Sequence, residues 1–228
     1  MAARVGSGTR LRSAASDDDT TQRVMRAAIA MFAERGFHGT GIRDIAGAAG
    51  LTTSTLYHYM SNKDDLLVEI MLATITPLRD AAARIVESID DPATCIAAIV
   101  EMHVWAHASD PPVMMIADTE LRALSGERLK KVVKFRDDYE GVWRSVIRAG
   151  VKQHIFEVSQ EELASRALLQ MTTGVAHWFS PSGKLKLEQL CHEYADWSLA
   201  LLRARHGKRQ LHYADLSLPK PDHYLQQP

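Results

Sequence analysis

The most constraining segment of this chain is residues 40–67, because it carries the start and stop signals of several short helices in quick succession. Apolar residues recur from Ile42 at the spacing of one helix face, and Gly50 follows them, where a left-handed residue ends a helix at no steric cost. Thr52 is then a good N-cap for a second helix over residues 53–60. The segment therefore predicts two helices of about two turns each, joined by a tight turn.

A third helix starts directly after this pair, since Asn62 is a good N-cap and Asp64 and Asp65 follow in the first turn, where the helix dipole favours acids. Two short helices with a glycine-containing connection form the pattern of a helix-turn-helix. In that motif the second helix enters the major groove of DNA and the first crosses the backbone. Short amphipathic helix pairs are also common in all-α proteins that bind no DNA, so spacing alone leaves that alternative open.

The side chains expected on the outside of the second helix favour DNA. Small hydroxyls stand at its N-terminus and aromatic hydroxyls and an imidazole follow; all are partners of phosphates or base edges, and the helix N-terminus itself attracts phosphate. A helix selected only for solubility would more often carry Glu–Lys pairs on this face. The residues concerned are Thr53, Ser54, Thr55, Tyr57, His58 and Tyr59, with Lys63 at the next helix start.

Residues 32–67 resemble the N-terminal domain of the TetR family of bacterial transcriptional regulators. They read FAERGFHGTGIRDIAGAAGLTTSTLYHYMSNKDDLL, and the pattern G-L-T-x-x-T-L-Y-x-Y-x-x-x-K-x-x-L is specific for that family. The resemblance implies that Arg43 contacts a base or a phosphate. It places three hydroxyl side chains in the groove, those of Thr53, Ser54 and Thr55. It also implies three phosphate clamps, Tyr57, Tyr59 and Lys63.

The chain departs from the family pattern at two positions. Gly41 stands where the family usually has a threonine that caps the helix and touches a phosphate, and Thr40 lies one residue earlier. Ser54 replaces a frequent glycine and adds a hydrogen-bond donor. Thr40 and Thr52 complete the set of expected DNA contacts.

Composition excludes several classes of protein. At 228 residues, 46% hydrophobic and 24% charged, the chain has room for one small globular domain and one larger one. Its net charge of −1 gives no overall basic field, so any phosphate contact depends on local placement. Cys95 and Cys191 are isolated, and neither a secretory segment nor an apolar run long enough for a membrane is present. We expect a cytoplasmic protein that has no structural disulfide and does not bind membranes.

Helical patterns dominate the rest of the chain, so we predict an all-α protein with an N-terminal three-helix helix-turn-helix DNA-binding domain and a larger helical effector-binding and dimerisation domain. The expected parts are a disordered basic arm, the DNA-binding domain, the larger domain and a disordered or surface-draped tail, at 1–19, 20–66, 67–206 and 207–228. Gly36 should end a helix that begins near Thr21, and Pro77 should kink or break the helix that begins at Lys63. Longer helices are expected near 92–109, 113–123, 127–152, 160–179 and 187–206.

Soft and aromatic side chains are dense in the larger domain, where they either fill the core or line an adaptable cavity. Core filling is the commoner role for any single residue, whereas TetR-like proteins generally hold a small effector among these helices. The predicted ligand-binding residues are Met102, His103, Trp105, Met114, Met115, Arg122, Trp143, Met171, Thr172, His177 and Trp178. His107 and Thr173 are further polar groups nearby.

His103 and His107 are four residues apart and share a helix face, but zinc needs a third protein ligand and the HExxH arrangement is missing. A histidine pair that lines a pocket or caps a helix is commoner. No metal is therefore predicted, and no cofactor beyond a small-molecule effector. The sequence also lacks a GxSxG nucleophile elbow and a phosphate-binding glycine loop, so we expect no enzyme activity.

Two apolar stripes on the last long helices are the expected homodimer interface. Paired with those of a second copy, they would form an intermolecular four-helix bundle; packing within the chain is the alternative. In the TetR family these helices dimerise, and two operator half-sites require a dimer. The predicted interface residues are Leu168, Val175, Leu190, Tyr194, Trp197 and Leu201.

Residues 118–125, DTELRALS, and a later HWFSPSG resemble a TetR subgroup that controls lipid, sterol or aromatic-acid breakdown and responds to acyl-CoA thioesters. Such a ligand would need cations for its phosphates, and the nearest are Arg122, Arg136, Arg144 and Arg148. We therefore predict a ligand-responsive regulator, most simply a repressor released from double-stranded operator DNA by a small apolar or acyl-CoA-type effector. The alternatives are a helical small-molecule-binding enzyme with a vestigial DNA-binding motif and a helical interaction protein.

Overall fold

The computed structural model describes residues 8–225, with side chains from residue 18 onward. Its α-helices are α1 (Gly8–Gly39), α2 (Ile42–Ala48), α3 (Thr53–Leu56), α4 (Lys63–Ser88), α5 (Pro92–Ser109), α6 (Pro111–Thr119), α7 (Gly126–Lys152), α8 (Glu161–Thr173) and α9 (Leu187–Leu201). The 3₁₀ helices are Glu120–Ala123, Gly174–His177, Tyr213–Asp215 and Pro221–Tyr224. A short antiparallel hairpin pairs β1 (Arg205–His206) with β2 (Arg209–Gln210). The all-α prediction is confirmed.

The first three helices and the start of α4 enclose a small core. The rings of Phe32 and Phe37 pack with their centroids 5.3 Å apart. Ile45 on α2 and Leu56 on α3 are fully buried in the same core. Burying a side chain of this size stabilises the fold by about 1.5–3 kcal/mol. This core fixes how α2 and α3 stand on α1.

The larger domain is built around α5, which is apolar on nearly every side and packs against α4, α7, α8 and α9. A helix that is apolar all round belongs in the middle of a bundle. α4 joins the two domains, because its start belongs to the small core and its later turns pack on α7. α6 also joins them, since it packs on α1.

The first helix differs from its predicted bounds. α1 begins at Gly8 instead of near Thr21, so the backbone of residues 8–19 is helical where a disordered arm was expected. This stretch has no proline to end the helix, although its serines, threonine, aspartates and glycine are weak helix formers. The rest of the predicted arm, residues 1–7, lies outside the described residues. Gly36, at φ 72°, interrupts α1 at the position where its end was predicted.

Pro77 does not end α4, which continues to Ser88. The proline removes only one backbone hydrogen bond, and Ile75 and Leu78 on either side are buried, so packing keeps the helix continuous. α3 is shorter than predicted. After Leu56 the chain continues to Met60 in tight turns, with i→i+3 bonds such as that from the Tyr59 amide to the Leu56 carbonyl at 2.9 Å.

The last described residues pack on the larger domain. Tyr224 is buried, and its carbonyl accepts a 3.0 Å hydrogen bond from Arg84 on α4. Leu211, after the hairpin, is buried as well. The tail is thus draped over the surface as far as Leu225. Across residues 8–225, no helix combines the length and apolar character needed to cross a bilayer.

Candidate functional site

The turn between α2 and α3 has the geometry that its sequence predicted. Gly50 adopts φ 68°, and the amide of Leu51 donates to the Ala46 carbonyl at 2.9 Å, which closes the end of α2. Thr52 caps α3, because its Oγ1 accepts the Thr55 amide at 3.1 Å. The orientation of α3 on α2 is therefore set by local hydrogen bonds.

Several polar side chains of this pair remain on the outside. Arg43, Ser54, Tyr57 and His58 are exposed, and Thr53 is half-buried. Tyr57 is 52% exposed, which is high for an aromatic residue next to a core. An exposed arginine, small hydroxyls at a helix N-terminus and an exposed phenol together suit phosphates and base edges. Thr52 and Thr55 lie on the same surface, with their hydroxyls bonded to each other at 2.8 Å.

Two of the predicted DNA contacts point inward instead. Thr40 is buried, and its hydroxyl donates to the carbonyls of Met31 and Gly36 at 3.1 and 2.9 Å. The ammonium of Lys63 donates to the carbonyls of Phe37 and Thr40, both at 2.8 Å. These contacts satisfy carbonyls that the end of α1 leaves without helical partners. Thr40 and Lys63 therefore hold the small domain together.

Two polar contacts cross between the domains. The amide of Phe37 donates to Glu120 Oε1 at 3.3 Å, directly after α6. Arg128, at the start of α7, donates to Asp65 Oδ1 at 2.6 Å, and this bond lowers the pKa of the Asp65 carboxyl. The small domain is thus tied to the larger one near the end of α1 and at the start of α4.

A cavity of about 320 Å³ lies among five helices of the larger domain. This volume is at the lower end of the range of small-molecule sites. Its apolar lining comes from Ile75, Leu78, Met114, Ala117 and Leu169. Its polar lining comes from Thr74, His103, His107, Asp118, Arg136, Asp137, Tyr139, Glu140, Arg166, Gln170 and Thr173.

The buried end of the cavity carries a hydrogen-bonded histidine pair. His103 Nδ1 lies 2.9 Å from the Tyr139 hydroxyl, and its Nε2 lies 3.1 Å from the Thr173 hydroxyl. The His107 ring stacks on that of His103 with centroids 3.9 Å apart. Burial lowers the pKa of His103 far below its usual value and that of His107 to about 4. Both rings are neutral at pH 7.

The open end of the cavity is charged. Arg136 pairs with Asp118 at 3.1 Å, and Arg166 pairs with Glu140 at 3.3 Å. Each arginine is thus matched by a carboxylate, so this end holds no net positive charge. A ligand phosphate would have to compete with these carboxylates.

Comparisons with known proteins assign the chain to a family. The family model described as bacterial regulatory proteins, tetR family, matches residues 24–70. A second, the C-terminal domain of tetracyclin repressor-like proteins, matches residues 90–202. The sequence of the TetR family regulator PfmR from Thermus thermophilus is 30% identical to this chain. Its crystal structure matches this one with a TM-score of 0.72, over 81% of this chain and 99% of PfmR. The chain belongs to the TetR family.

This TetR-family protein has further relatives. The transcriptional repressor KstR2 of Rhodococcus jostii is 29% identical over 182 residues, which are 79% of this chain and 89% of that one. The structure of AibR with isovaleryl coenzyme A and operator DNA has the same fold, at 21% identity and a TM-score of 0.73, over 78% of this chain and 97% of that one. The family is one of transcriptional regulators, and the chain is a DNA-binding regulator of this family.

Few of the predicted ligand-binding residues of this TetR-family regulator line the cavity. His103 and Met114 line it. The other predicted residues lie outside its lining: Met102, Trp105, Met115, Arg122, Trp143, Met171, Thr172, His177 and Trp178. Trp143 is fully buried edge-on to His103, with centroids 5.3 Å apart, and therefore supports the cavity from behind. Trp178 is 54% exposed, on the outside of the domain.

Tyr139 and Asp118 are cavity residues that the sequence argument missed. A signal for Tyr139 exists, because it lies four residues before Trp143 and seven after Val132, on the buried stripe of α7. The arginines proposed for ligand phosphates are spread apart: Arg136 lines the cavity, whereas Arg144 and Arg148 pair with acids of α8 outside it.

The predicted dimer residues fall into two groups. Four are buried within the chain, because α8, the 3₁₀ helix Gly174–His177 and α9 all pack on α5: Leu168, Val175, Leu190 and Tyr194. Two remain outside, Trp197 at 49% and Leu201 at 39% exposure. Leu163 on α8 and Trp178, which follows the 3₁₀ helix Gly174–His177, are large apolar side chains of this part of the chain that are exposed as well. Exposed apolar side chains of this size are candidates for contact with another protein surface.

Among residues 8–225, no group of three or more histidine, cysteine, aspartate or glutamate side chains could hold a metal ion. His103 and His107 instead bond to hydroxyls and to the backbone of their own helix. Cys95 and Cys191 are both buried as free thiols.

Proposed function

We propose that this regulator is a homodimeric repressor that leaves its operator when a small, largely apolar effector fills the cavity. The observation that carries the proposal is that one short stretch of chain contacts both the cavity and the DNA-binding domain. α6 contributes Met114 and Ala117 to the cavity wall, and Glu120, directly after it, accepts the Phe37 amide of the DNA-binding domain. A displacement of α6 by a ligand would therefore act directly on the end of α1.

The DNA contacts are proposed to come from the outward side chains of the helix pair. Arg43 and Tyr57 would bind phosphates or base edges, and Thr53, Ser54 and His58 would face the groove. Thr52 and Thr55 would act by fixing the start of α3. Thr40 and Lys63 are left out of this set, since their polar atoms are bonded inside the domain.

The dimer is proposed to form through the exposed apolar surface of α8 and α9. Trp197 and Leu201 are four residues apart and share one face of α9, and Leu163 on α8 is 64% exposed. A second copy related by a twofold axis would cover these side chains with their own equivalents. The two copies of α3, one in each protomer, could then bind operator half-sites about 34 Å apart. We place this action in the cytoplasm, where bacterial operator DNA lies.

The effector is proposed to lay its apolar body against Ile75, Leu78 and Met114. Support for a coenzyme A thioester comes from AibR, whose structure holds isovaleryl coenzyme A together with operator DNA. In this chain the cavity would take the acyl part, and the nucleotide would lie outside it near Arg136 and Arg166. Release requires that the effector bind the DNA-free conformation more tightly than the DNA-bound one.

The test begins by incubating the purified protein with cell extract and identifying retained small molecules by mass spectrometry. Each ligand is then titrated calorimetrically with and without operator DNA. Operator must lower effector affinity by the same factor by which effector lowers operator affinity. Equal ligand affinity in the two titrations would contradict the proposed role of that ligand.

Glu120→Ala tests the contact between the domains. It should leave operator affinity without effector within about threefold and cut the effector-induced loss of affinity at least about fivefold. Glu127→Ala is the matched control, because Glu127 is exposed on α7 and its one ion pair within the described part of the chain is with Lys130. If the effector lowered the operator affinity of the Glu120→Ala protein as much as that of the wild type, the contact would not transmit effector binding to the DNA-binding domain.

A further inference from the structure

The cavity wall has one hydrogen-bond acceptor and one hydrogen-bond donor that the protein itself leaves unused, and together they define a ligand. His107 Nδ1 lies 2.9 Å from the His103 carbonyl, which can only accept. Nδ1 must therefore carry the hydrogen, and Nε2 of the neutral ring carries a lone pair. Within the described residues Nε2 makes no hydrogen bond, and His107 is part of the cavity lining. The wall thus holds one unused acceptor.

The chain of Tyr139, His103 and Thr173 leaves one unused donor. A neutral His103 has one N–H and one lone pair, and it lies between two hydroxyls. If Nδ1 carries the hydrogen, Thr173 donates to Nε2 and the Tyr139 hydrogen is left over. If Nε2 carries it, Tyr139 donates to Nδ1 and the Thr173 hydrogen is left over. Either way one hydroxyl hydrogen remains, and both residues are part of the cavity lining.

We propose that the effector carries a neutral hydroxyl group at the end that enters the cavity, so that it donates to His107 Nε2 and accepts from the Tyr139–His103–Thr173 chain. This inference rests on the proposed function and names the chemical class of the effector part that enters the cavity, an otherwise apolar moiety that carries an alcohol or phenol hydroxyl. The apolar part of the lining, Ile75, Leu78, Met114 and Leu169, receives the rest of the molecule.

Other polar groups fit this wall less well. A ketone accepts but leaves His107 Nε2 without a donor, and an ammonium group donates but leaves the hydroxyl without an acceptor. A carboxylate would meet the Nε2 lone pair, and the arginines that line the cavity, Arg136 and Arg166, are already paired with carboxylates. A hydroxyl has both a donor for Nε2 and an acceptor for the remaining hydroxyl hydrogen, and it brings no charge into the cavity.

The test compares four probes of equal chain length, 1-octanol, 2-octanone, octanoate and octylammonium, by calorimetric titration of the full-length protein without DNA. We expect 1-octanol to bind at least about tenfold more tightly than each of the others. His107→Phe, which keeps the ring, and Thr173→Val, which keeps the shape, should each reduce this preference to about threefold or less. Thr172→Val is the matched control and should leave the order unchanged, because its hydroxyl bonds the Leu168 carbonyl of its own helix.

Binding of octanoate or 2-octanone as tight as that of 1-octanol would overturn the inference, and so would failure of all four probes to bind. A preference for 1-octanol that survives both His107→Phe and Thr173→Val would also overturn it. Failure here is distinguishable from failure of the proposed function, which is measured with operator DNA. If ligands from the extract release the operator while the protein shows no preference for 1-octanol, only the assignment of the hydroxyl is contradicted. If the alcohol preference holds and no ligand alters operator affinity, the cavity binds alcohols without controlling DNA.

Discussion

The ammonium group of Lys63 lies 4.3 Å from the ring centroid of Phe37 and donates a 2.8 Å hydrogen bond to the Phe37 carbonyl oxygen. Lys63 begins α4 and Phe37 lies near the end of α1, so this contact closes the small domain. A lysine that the sequence motif suggests for phosphate binding thus has a different role in the structure. A cation over an aromatic ring and on two carbonyls contributes packing and hydrogen bonds together.

Lys63→Ala should therefore destabilise the DNA-binding domain. The loss of charged hydrogen bonds to two carbonyls should lower the free energy of unfolding by roughly 1–3 kcal/mol. The slope of log affinity against log salt for operator DNA should stay unchanged, since no phosphate contact is lost. Thermal unfolding and salt titrations measure the two quantities, with the exposed Lys130→Ala as control. A stable Lys63→Ala protein whose salt slope shrinks by about one would show that Lys63 binds phosphate.

Tyr57→Phe should weaken binding to operator and random DNA by similar factors, because the exposed hydroxyl is proposed to contact a phosphate. Ser54→Ala should instead relax sequence preference at one base pair, at a cost of roughly 1–3 kcal/mol there. Competition binding with single-base operator variants separates the two effects. The assignment fails if Tyr57→Phe changes preference at a single base pair or Ser54→Ala weakens all sequences alike.

Trp197→Glu or Leu201→Glu should give a folded monomer. Both side chains are exposed in the single chain, so a charge there costs little until a second copy buries it. Sedimentation should show dissociation, circular dichroism should show unchanged helix content, and operator binding should be lost. Leu168→Glu is the contrasting variant: Leu168 is fully buried within the chain, so this protein should lose helix content as well. Folded dimers of both Trp197→Glu and Leu201→Glu would place the interface elsewhere.

Stability should fall as pH rises towards neutrality because of Glu101, which is buried on α5. Burial raises the pKa of Glu101 to about 7 from a usual 4.5, although a hydrogen bond with Tyr213 opposes the shift. The neutral form is thus favoured in the folded state. Its contribution is complete below about pH 4.5 and is lost as pH rises to about 7. The groups facing this carboxyl are His192, whose Nε2 lies 3.6 Å away, Tyr213, Cys191 and Tyr224.

Glu101→Gln should remove this part of the pH dependence. Denaturant unfolding between about pH 5 and pH 8 should show wild-type stability falling by up to roughly 3 kcal/mol, and a flatter curve for the variant. His192→Gln, alone and combined with Glu101→Gln, separates any contribution from a charged imidazole. Glu188→Gln, exposed on α9, is the matched control. An identical pH profile for wild type and Glu101→Gln would contradict the assignment.

The helix-turn-helix could be predicted from the sequence because its determinants are local. Gly50 needs a positive φ, and Thr52 and Asn62 cap the helices that follow them by accepting amides within three residues. None of these depends on distant parts of the chain. The role of Lys63 could not be predicted in the same way, because its partners lie more than twenty residues earlier and meet it only after α1 and α4 pack.

The cavity was less predictable because it depends on which helix faces meet. Thr172 and Thr173 are neighbours on α8, yet about 100° of helical rotation separates them. Thr173 lines the cavity, while Thr172 bonds to the Leu168 carbonyl of its own helix. Likewise, Trp105 lies between His103 and His107 in sequence but outside the lining. Residue type suggested a cavity in this domain, and tertiary packing selected its walls.

The contact between Glu120 and Phe37 has a consequence for how such proteins diverge. Its donor is a backbone amide, which every residue except proline supplies at position 37. Substitutions that change which DNA sequence is read therefore leave this contact intact, whereas position 120 must keep an acceptor. This contact therefore constrains sequence only on the effector-domain side, whereas the Arg128–Asp65 pair needs a matched side chain in each domain. An exchanged N-terminal domain keeps the first contact with any residue but proline at position 37, and it keeps the second only with an acid at position 65.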